Sequence, residues 1–152
     1  MENQNSNVTY FKAGKPISAE PVKAPSPVVE KPLFRHQPLL DALYFFNDTA
    51  ERCTVELFLI GDVAKQVVAN EHLSLSQVDF GVRRNEWVSG GRNLFDDFID
   101  HERIEVKEDG DLITYMYQEI PVVLHVLDDN PTTQSFDTVF YMYETFKIPN
   151  PL

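Results

Sequence analysis

The chain has 152 residues, of which 43% are hydrophobic, and carries a formal net charge of −11 at pH 7. This length and composition fit one domain with an ordinary core, and the acidic charge disfavours sequence-independent binding of nucleic acid. A single cysteine excludes an internal disulfide, and no apolar run reaches the roughly 18 residues of a transmembrane helix, so we expect a cytoplasmic protein that binds neither nucleic acid nor a membrane.

The first 38 residues differ from the rest in proline content and in charge. They hold six of the ten prolines, and five basic against three acidic residues give them a net charge of +2, which leaves −13 for the remainder. Because proline removes a backbone donor and favours extended geometry, we expect an extended arm or linker over residues 1–33, followed by a domain over residues 34–152.

Two interpretations of this arm are open. A polar, proline-rich segment is typical of a solvated linker, but apolar pairs within it would suit a docking segment for a partner protein or a larger assembly. The candidate partner-binding residues are three such pairs: Tyr10 and Phe11, Val28 and Val29, and Leu33 and Phe34.

Apolar spacing predicts alternating helices and strands in the first half of the domain. Leu39, Leu43 and Phe46 recur at helical spacing after Pro38, as is typical of an amphipathic helix. In chain order the pattern predicts a helix from about 39 to 52, a strand at 55–60, a helix at 63–70, a strand at 78–82, and a helix near 87–99 that begins after Gly90 and Gly91 or spans them.

The second half favours strands. Residues 103–107 and 112–117 alternate in polarity, which predicts a hairpin around a four-residue acidic connection at 108–111. Pro121 opens an apolar run over 122–127 that suits a central strand. The aromatic-rich stretch 138–146 suits either a strand or a helix, and of the two we predict a helix. Together these elements predict an α/β (α+β) fold, a mixed sheet with flanking helices.

One stretch carries a motif. Leu59-Ile60-Gly61-Asp62-Val63-Ala64-Lys65, followed by Gln77-Val78-Asp79-Phe80, resembles the nucleotidyltransferase superfamily, which includes CCA-adding enzymes and small antitoxin-like members. In that family a strand leads into Gly-Gly or Gly-Ser and a helix, the next strand carries Asp-x-Asp, and a later strand carries a third acidic residue. The resemblance implies a nucleotidyltransferase-like sheet with its site between the glycine turn and Asp79.

The chain departs from the family pattern where the chemistry lies. Two carboxylates at i and i+2 on a strand face the same side and can share divalent cations. Here Gln77 stands at the first position and Asp79 at the second, and neither Val123 nor His125 supplies the third carboxylate. Asp62 follows the glycine, where the family places a small residue. The resemblance thus implies a degenerate member, a pseudoenzyme without a cofactor that acts as a non-catalytic binding or assembly module through its arm and domain surface.

Two alternatives stay open. The chain could be an active transferase that uses Mg²⁺ and a nucleoside triphosphate, with Asp79 as metal ligand and Asp79 and Asp62 as the catalytic carboxylates. It could also be a sensor that binds nucleotide through Gly61, Arg83 and Arg84 without catalysis, although an acidic chain favours pairing of both arginines with its own carboxylates. Small proteins of this kind with proline-rich arms also resemble accessory proteins of bacteriophage, which would imply incorporation in a virion.

Overall fold

The computed structural model of the chain describes residues 33–128 and 135–150. Residues 1–32 of the predicted arm, with Tyr10, Phe11, Val28 and Val29, lie outside the described residues. The helices are α1 (His36–Arg52), α2 (Gly61–Val68), the short α3 (Arg84–Glu86) and α4 (Arg92–His101), with a kinked turn at Trp87–Gly91 joining the last two. The strands are β1 (Phe58–Leu59), β2 (Val78–Arg83), β3 (Glu105–Asp109), β4 (Leu112–Tyr117), β5 (Ile120–Leu127), β6 (Ser135–Tyr141) and β7 (Glu144–Asn150).

Five of these strands form one mixed sheet in the order β1-β2-β5-β4-β3. Strands β2 and β5 run parallel, with Asp79 opposite Val123, and the other neighbours in the sheet are antiparallel. Strands β6 and β7 form a separate two-stranded hairpin. The mixed sheet with helices packed against it confirms the predicted fold class.

One face of the sheet packs against α1 and holds most of the hydrophobic core, whereas the opposite face carries the partly exposed side chains of Asp79 and His125 beside the buried ring of Phe58. Along β2 the alternation buries Val78, Phe80 and Val82 fully, whereas Asp79 on the opposite face is only half-buried. Phe46 of α1 lies within 6.4 Å of Phe80, measured between ring centroids, so α1 covers the apolar face. Since burial of a large apolar side chain contributes about 1.5–3 kcal/mol, this face fixes the register that positions Asp79.

The prediction of a helix at 138–146 is wrong. These residues lie in the hairpin of β6 and β7, which turns between Tyr141 and Glu144. Along β7 the side chains alternate, with Phe146 and Ile148 buried and Lys147 exposed, and this period of two is that of a strand. Aromatic and β-branched residues favour strands, and a short aromatic run does not distinguish the two periods without its partner strand.

Two glycine positions refine the predicted boundaries. The β3–β4 hairpin is tighter than predicted: Asp109 still pairs with Leu112, and the connection is two residues rather than four. Gly110 turns there with φ 62°, a conformation that glycine adopts readily. Gly90 takes φ 129° in the kinked turn, so α4 begins after the glycine pair, at Arg92.

Within the described ranges, no helix has the length and apolarity needed to cross a membrane.

Candidate functional site

The glycine turn of the motif lies directly against Asp79. Strand β1 ends at Leu59, and α2 begins at Gly61, whose φ of +69° favours glycine. A Cβ at position 61 would lie 3.6 Å from Asp79 Oδ2, and the backbone N–H of Ile60 donates to the Asp79 carbonyl oxygen at 3.3 Å. The strand, turn and helix therefore form the local frame that the sequence predicts.

Two neighbouring side chains hold one oxygen of the Asp79 carboxylate. Gln77 Nε2 donates to Asp79 Oδ1 at 2.8 Å, and His125 Nε2 lies 2.9 Å from the same oxygen. Gln77 lies directly before β2 and reaches it because residues two apart in an extended chain share a face. His125 reaches it from the parallel neighbour β5, two residues beyond Val123, which lies opposite Asp79. An amide and an imidazole thus surround the carboxylate.

An open pocket of about 430 Å³ lies beside this group, between α2 and the segment that leads into β2. Asp62 lines it from the first turn of α2, where the helix dipole stabilises a negative charge. Lys65, one turn further along α2, supplies a positive charge. The lining residues are Leu33, Asp62, Lys65, Gln66, Ser74, Leu75, Ser76, Gln77 and Asp79.

Comparison with known proteins identifies the fold. No protein-family profile and no curated protein matches this chain. The solved structure of the aminoglycoside nucleotidyltransferase ANT(2″)-Ia, in complex with adenylyl-2″-tobramycin, superposes with a TM-score of 0.53 at 9% sequence identity. The chain has a nucleotidyltransferase-like fold. The match covers 64% of this chain and 54% of that protein, so the chain spans about half of its length.

The donor set at Asp79 does not fit the two-metal site that a nucleotidyltransferase-like fold implies. Mg²⁺ requires near-octahedral coordination by hard oxygen ligands, and carboxylates supply most of its protein ligands. Here the neighbours of Asp79 are the amide nitrogen of Gln77 and a ring nitrogen of His125. Across the described residues, no three or more His, Cys, Asp or Glu side chains lie where they could hold a metal ion together.

The two arginines proposed for phosphate binding lie at the other end of β2, and the chain's own carboxylates engage both. Arg83 donates to Glu56 at 2.8 Å. Arg84 binds Asp111 through both terminal nitrogens, at 3.0 and 2.7 Å, and its Nε donates to Asp128 at 2.7 Å. The hydrogen bonds from Arg84 hold the pKa of Asp111 below its usual value. Neither arginine lines the pocket beside Asp79.

The two described residues of the proposed partner-binding set differ in environment. Phe34 packs against the core of this domain, and its backbone N–H donates to the Leu75 carbonyl oxygen at 2.8 Å. Leu33 is 67% exposed and lines the pocket beside Asp79. Leu33 is therefore accessible to a ligand, whereas Phe34 anchors the start of the domain.

The sequence analysis did not predict His125 as a site residue. A histidine in an apolar strand is typical of a buried core position, and His125 was considered only as a candidate for the third carboxylate, which a histidine cannot supply. Its side chain is 28% exposed and contacts Asp79 across 46 residues of chain, which only the pairing of β2 with β5 reveals. Lys65 had a local signal: it lies four residues after Gly61 in a predicted helix, on the face that carries the glycine turn.

Proposed function

We propose that this nucleotidyltransferase-fold protein works by binding a partner and does not transfer nucleotides. The observation that carries the proposal is the hydrogen bond from the Gln77 amide to Asp79 Oδ1 at 2.8 Å. The fold family has a second carboxylate at this position, and the two carboxylates share a cation. This chain has the neutral amide of Gln77 there, and the amide N–H donates to the Asp79 carboxylate.

The hydrogen bonds to Asp79 oppose metal binding in a second way. A cation that coordinated Oδ1 would displace both Gln77 and His125 from that oxygen. Leaving a half-buried donor without its partner costs about 1–3 kcal/mol. Of the two strand carboxylates in the family pattern only Asp79 is present, so a divalent cation lacks the second ligand that would share it at this position.

The pocket supports the same conclusion for the nucleotide. A helix N-terminus favours anions, but Asp62 already places a carboxylate in the first turn of α2. A triphosphate in this pocket would meet the negative charges of Asp62 and Asp79, with Lys65 as the opposing cation among the lining residues. Without a shared metal ion these charges disfavour a polyphosphate.

A protein partner is the ligand class that fits the rest of the sequence. Residues 1–33 carry apolar pairs in an otherwise polar, proline-rich segment, and burial against a partner would remove those pairs from water. We assign the arm the role of contacting a partner protein or assembly, in the cytoplasm or, for an accessory protein of bacteriophage, in a virion.

A nucleotide assay on the full-length protein tests the first half of this proposal. Each ribonucleoside triphosphate is added with Mg²⁺ or Mn²⁺, and incorporation of label and the unfolding midpoint are both measured. A ligand at a hundredfold excess over its Kd would stabilise the fold by about 2.7 kcal/mol. We expect neither incorporation nor a shift, and no difference between the natural chain and Asp79→Asn.

Other outcomes of this assay would overturn the proposal in distinguishable ways. Metal-dependent incorporation that Asp79→Asn abolishes would establish an active transferase. A triphosphate-dependent shift of the unfolding midpoint without incorporation would establish a nucleotide sensor, and the shift in an Asp62→Asn variant would then show how strongly that carboxylate opposes phosphate.

A pull-down with the full-length protein tests the second half. The variant Tyr10→Ser with Phe11→Ser removes one apolar pair from the arm, and Asn5→Ala with Ser6→Ala changes two polar arm residues as the matched control. We expect the first variant to lose partners that the control retains. Equal recovery of every partner by both variants would reject the role of this pair.

A further inference from the structure

The β6–β7 hairpin presents two aromatic rings to solvent beside α1, one at the end of β6 and one in the turn. Tyr143 is 87% exposed and Phe140 is 68% exposed, the two highest values among the large hydrophobic side chains that the structure describes. Single exposed apolar residues are common on protein surfaces. Both rings line one pocket, and exposed aromatic side chains grouped around a pocket are typical of interaction sites.

The backbone of this turn is fixed to α1. The Tyr143 backbone N–H donates to Tyr44 Oη at 3.1 Å, and Asn47 Nδ2 donates to the Thr145 backbone carbonyl oxygen at 3.2 Å and to Glu144 Oε1 at 3.0 Å. Met142 takes φ 56°, a left-handed conformation that is uncommon outside glycine and asparagine, and its side chain packs against the core. The rings therefore project from a fixed backbone, which reduces the ordering entropy that binding would otherwise require.

The pocket that these rings line is acidic. It has a volume of about 310 Å³, and no lysine or arginine is among its lining residues, which are Asn47, Asp48, Glu51, Phe140, Tyr143, Glu144 and Thr145. Burial is the main cause that raises the pKa of the Glu144 carboxyl; the hydrogen bond from Asn47 opposes this rise, and the neighbouring Asp48 and Glu51 add to it. The three carboxyl groups oppose one another's charge, and a cation between them would relieve that repulsion.

We propose that this acidic aromatic surface (Asp48, Glu51, Phe140, Tyr143 and Glu144) binds an arginine-bearing segment of a partner protein. A guanidinium group stacks on aromatic faces and also donates two parallel hydrogen bonds to a carboxylate, so one side chain satisfies both features of the surface. A purely apolar partner would bury the carboxylates without compensation, and a polyanion would be repelled.

This surface shares no residue with the pocket beside Asp79. The inference therefore goes beyond the proposed function and does not depend on the absence of nucleotide transfer. An active transferase with this surface would bind the same arginine-bearing segment, and a failed peptide experiment would leave the chemistry at Asp79 untouched.

A labelled peptide of alternating arginine and glycine is the probe, with the full-length protein and fluorescence anisotropy as the measurement. The control peptide carries citrulline in place of arginine, which keeps the shape and removes the charge. We expect binding of the arginine peptide that weakens with salt, and none of the citrulline peptide. Since each 1.4 kcal/mol is a factor of ten, loss of a cation–π contact should weaken binding by about two- to thirtyfold.

Paired variants separate this surface from general attraction to an acidic protein. Tyr143→Ser with Phe140→Ser removes the rings, and Asp48→Asn with Glu144→Gln removes two charges. The matched control for charge, Glu105→Gln with Asp109→Asn, removes two exposed carboxylates from β3, and Val88→Ser controls for loss of an exposed apolar side chain. Unfolding midpoints confirm that each variant is folded, and Tyr143→Phe retains a ring and should retain binding.

Loss of binding in both surface variants, with the controls unchanged, would support the proposal. An equal loss in the β3 variant would overturn it, because the attraction would then be non-specific. Failure of the arginine peptide to bind at low salt would also overturn it. A concentration-dependent dimer that Tyr143→Ser with Phe140→Ser disrupts would identify a second copy of this chain as the occupant and would reject an arginine-bearing partner.

Discussion

The two ends of β2 carry charge in different ways. At the carboxyl end, Arg84 binds Asp111 and Asp128, and these opposite charges tie β2 to the start of β4 and to the residue that follows β5. At the amino end, an amide and an imidazole hold the Asp79 carboxylate. The carboxyl end thus has the chemistry of a structural corner, whereas the amino end keeps a carboxylate beside an open pocket.

The residue between the two ends should show the largest effect on stability. A Cβ at Gly81 would clash with the Phe58 ring, which itself packs on Phe136 at 4.7 Å between centroids. Gly81→Ala should therefore lower the free energy of unfolding by about 1–3 kcal/mol through overpacking. Denaturant unfolding measures the loss.

Two further variants test the cause of that loss. Phe58→Leu should recover part of the stability in the Gly81→Ala background, because it removes the ring edge that the new methyl group meets. Gly110→Ala meets no neighbour within 4 Å and should show only the strain of its left-handed backbone, about 1 kcal/mol. If Gly81→Ala unfolds at the natural midpoint, the close approach of Phe58 does not constrain β2.

At the amino end, Gln77→Asp should restore the family's pair of carboxylates and make stability depend on metal. The change removes a donor to Asp79 and sets two like charges on one face, so we expect a loss of about 1 kcal/mol without metal. Mn²⁺ should reverse the loss, because both carboxylates can then share one cation. Thermal unfolding with Mn²⁺ and with a chelator measures both effects.

The neutral variant Gln77→Asn is the control for this experiment, since it also withdraws the amide from Asp79 but adds no charge. It should lose similar stability and show no response to Mn²⁺. A Gln77→Asp variant that is as stable as the natural chain in chelator would show that the bond from Gln77 contributes nothing at this end of β2.

The sequence predicted the features of this comparison that depend on local pattern. Gly61 and Asp79 belong to neighbouring elements with clear apolar periodicity, so their proximity followed from the strand, turn and helix. His125 and the partners of Arg84 depend on which strands pair and in which register, and an acidic chain offers many equivalent carboxylates to an arginine. The prediction of a helix at 138–146 failed for the same reason, because the period of two in β6 and β7 becomes clear only when the two strands are seen paired.

The free energy of unfolding should depend on pH through His36 of α1, which contacts the segment that leads into the amino end of β2. His36 Nδ1 accepts a hydrogen bond from the Leu73 backbone N–H at 2.9 Å, and its ring stacks on His72 at 4.4 Å between centroids. Burial, and then the proximity of His72, lower the pKa of His36 below its usual 6.5. Tyr141, which meets the ring edge-on, has a raised pKa because it is buried, and it stays neutral throughout this range.

The sign of this effect follows from proton binding. Below pH 6.5 the unfolded chain binds a proton at His36 that the folded chain resists, so the stability from this residue falls as pH falls through 6.5. In His36→Asn, whose Oδ1 can accept from Leu73, this part of the pH dependence should disappear. His101→Asn, at the exposed end of α4, is the control. Unfolding midpoints measured across this pH range test the prediction. If the midpoint of His36→Asn varied with pH as steeply as that of the natural chain, His36 would be excluded as the source of the pH dependence.

The smallest effect is expected at the carboxyl end, from Arg84→Met. The side chains of Arg84, Asp111 and Asp128 are 38%, 59% and 86% exposed, and exposed ion pairs contribute little and are screened by salt. Because Arg84 lowers the pKa of Asp111, its contribution is present above that residue's usual 3.8 and is lost as pH falls below it. The difference in unfolding midpoint between Arg84→Met and the natural chain should therefore vanish both in acid and in high salt, while Arg35→Met controls for the change in net charge. A difference that persisted in high salt would mean that Arg84 stabilises this corner by packing its side chain, and the contrast between the two ends of β2 would then be one of shape rather than of charge.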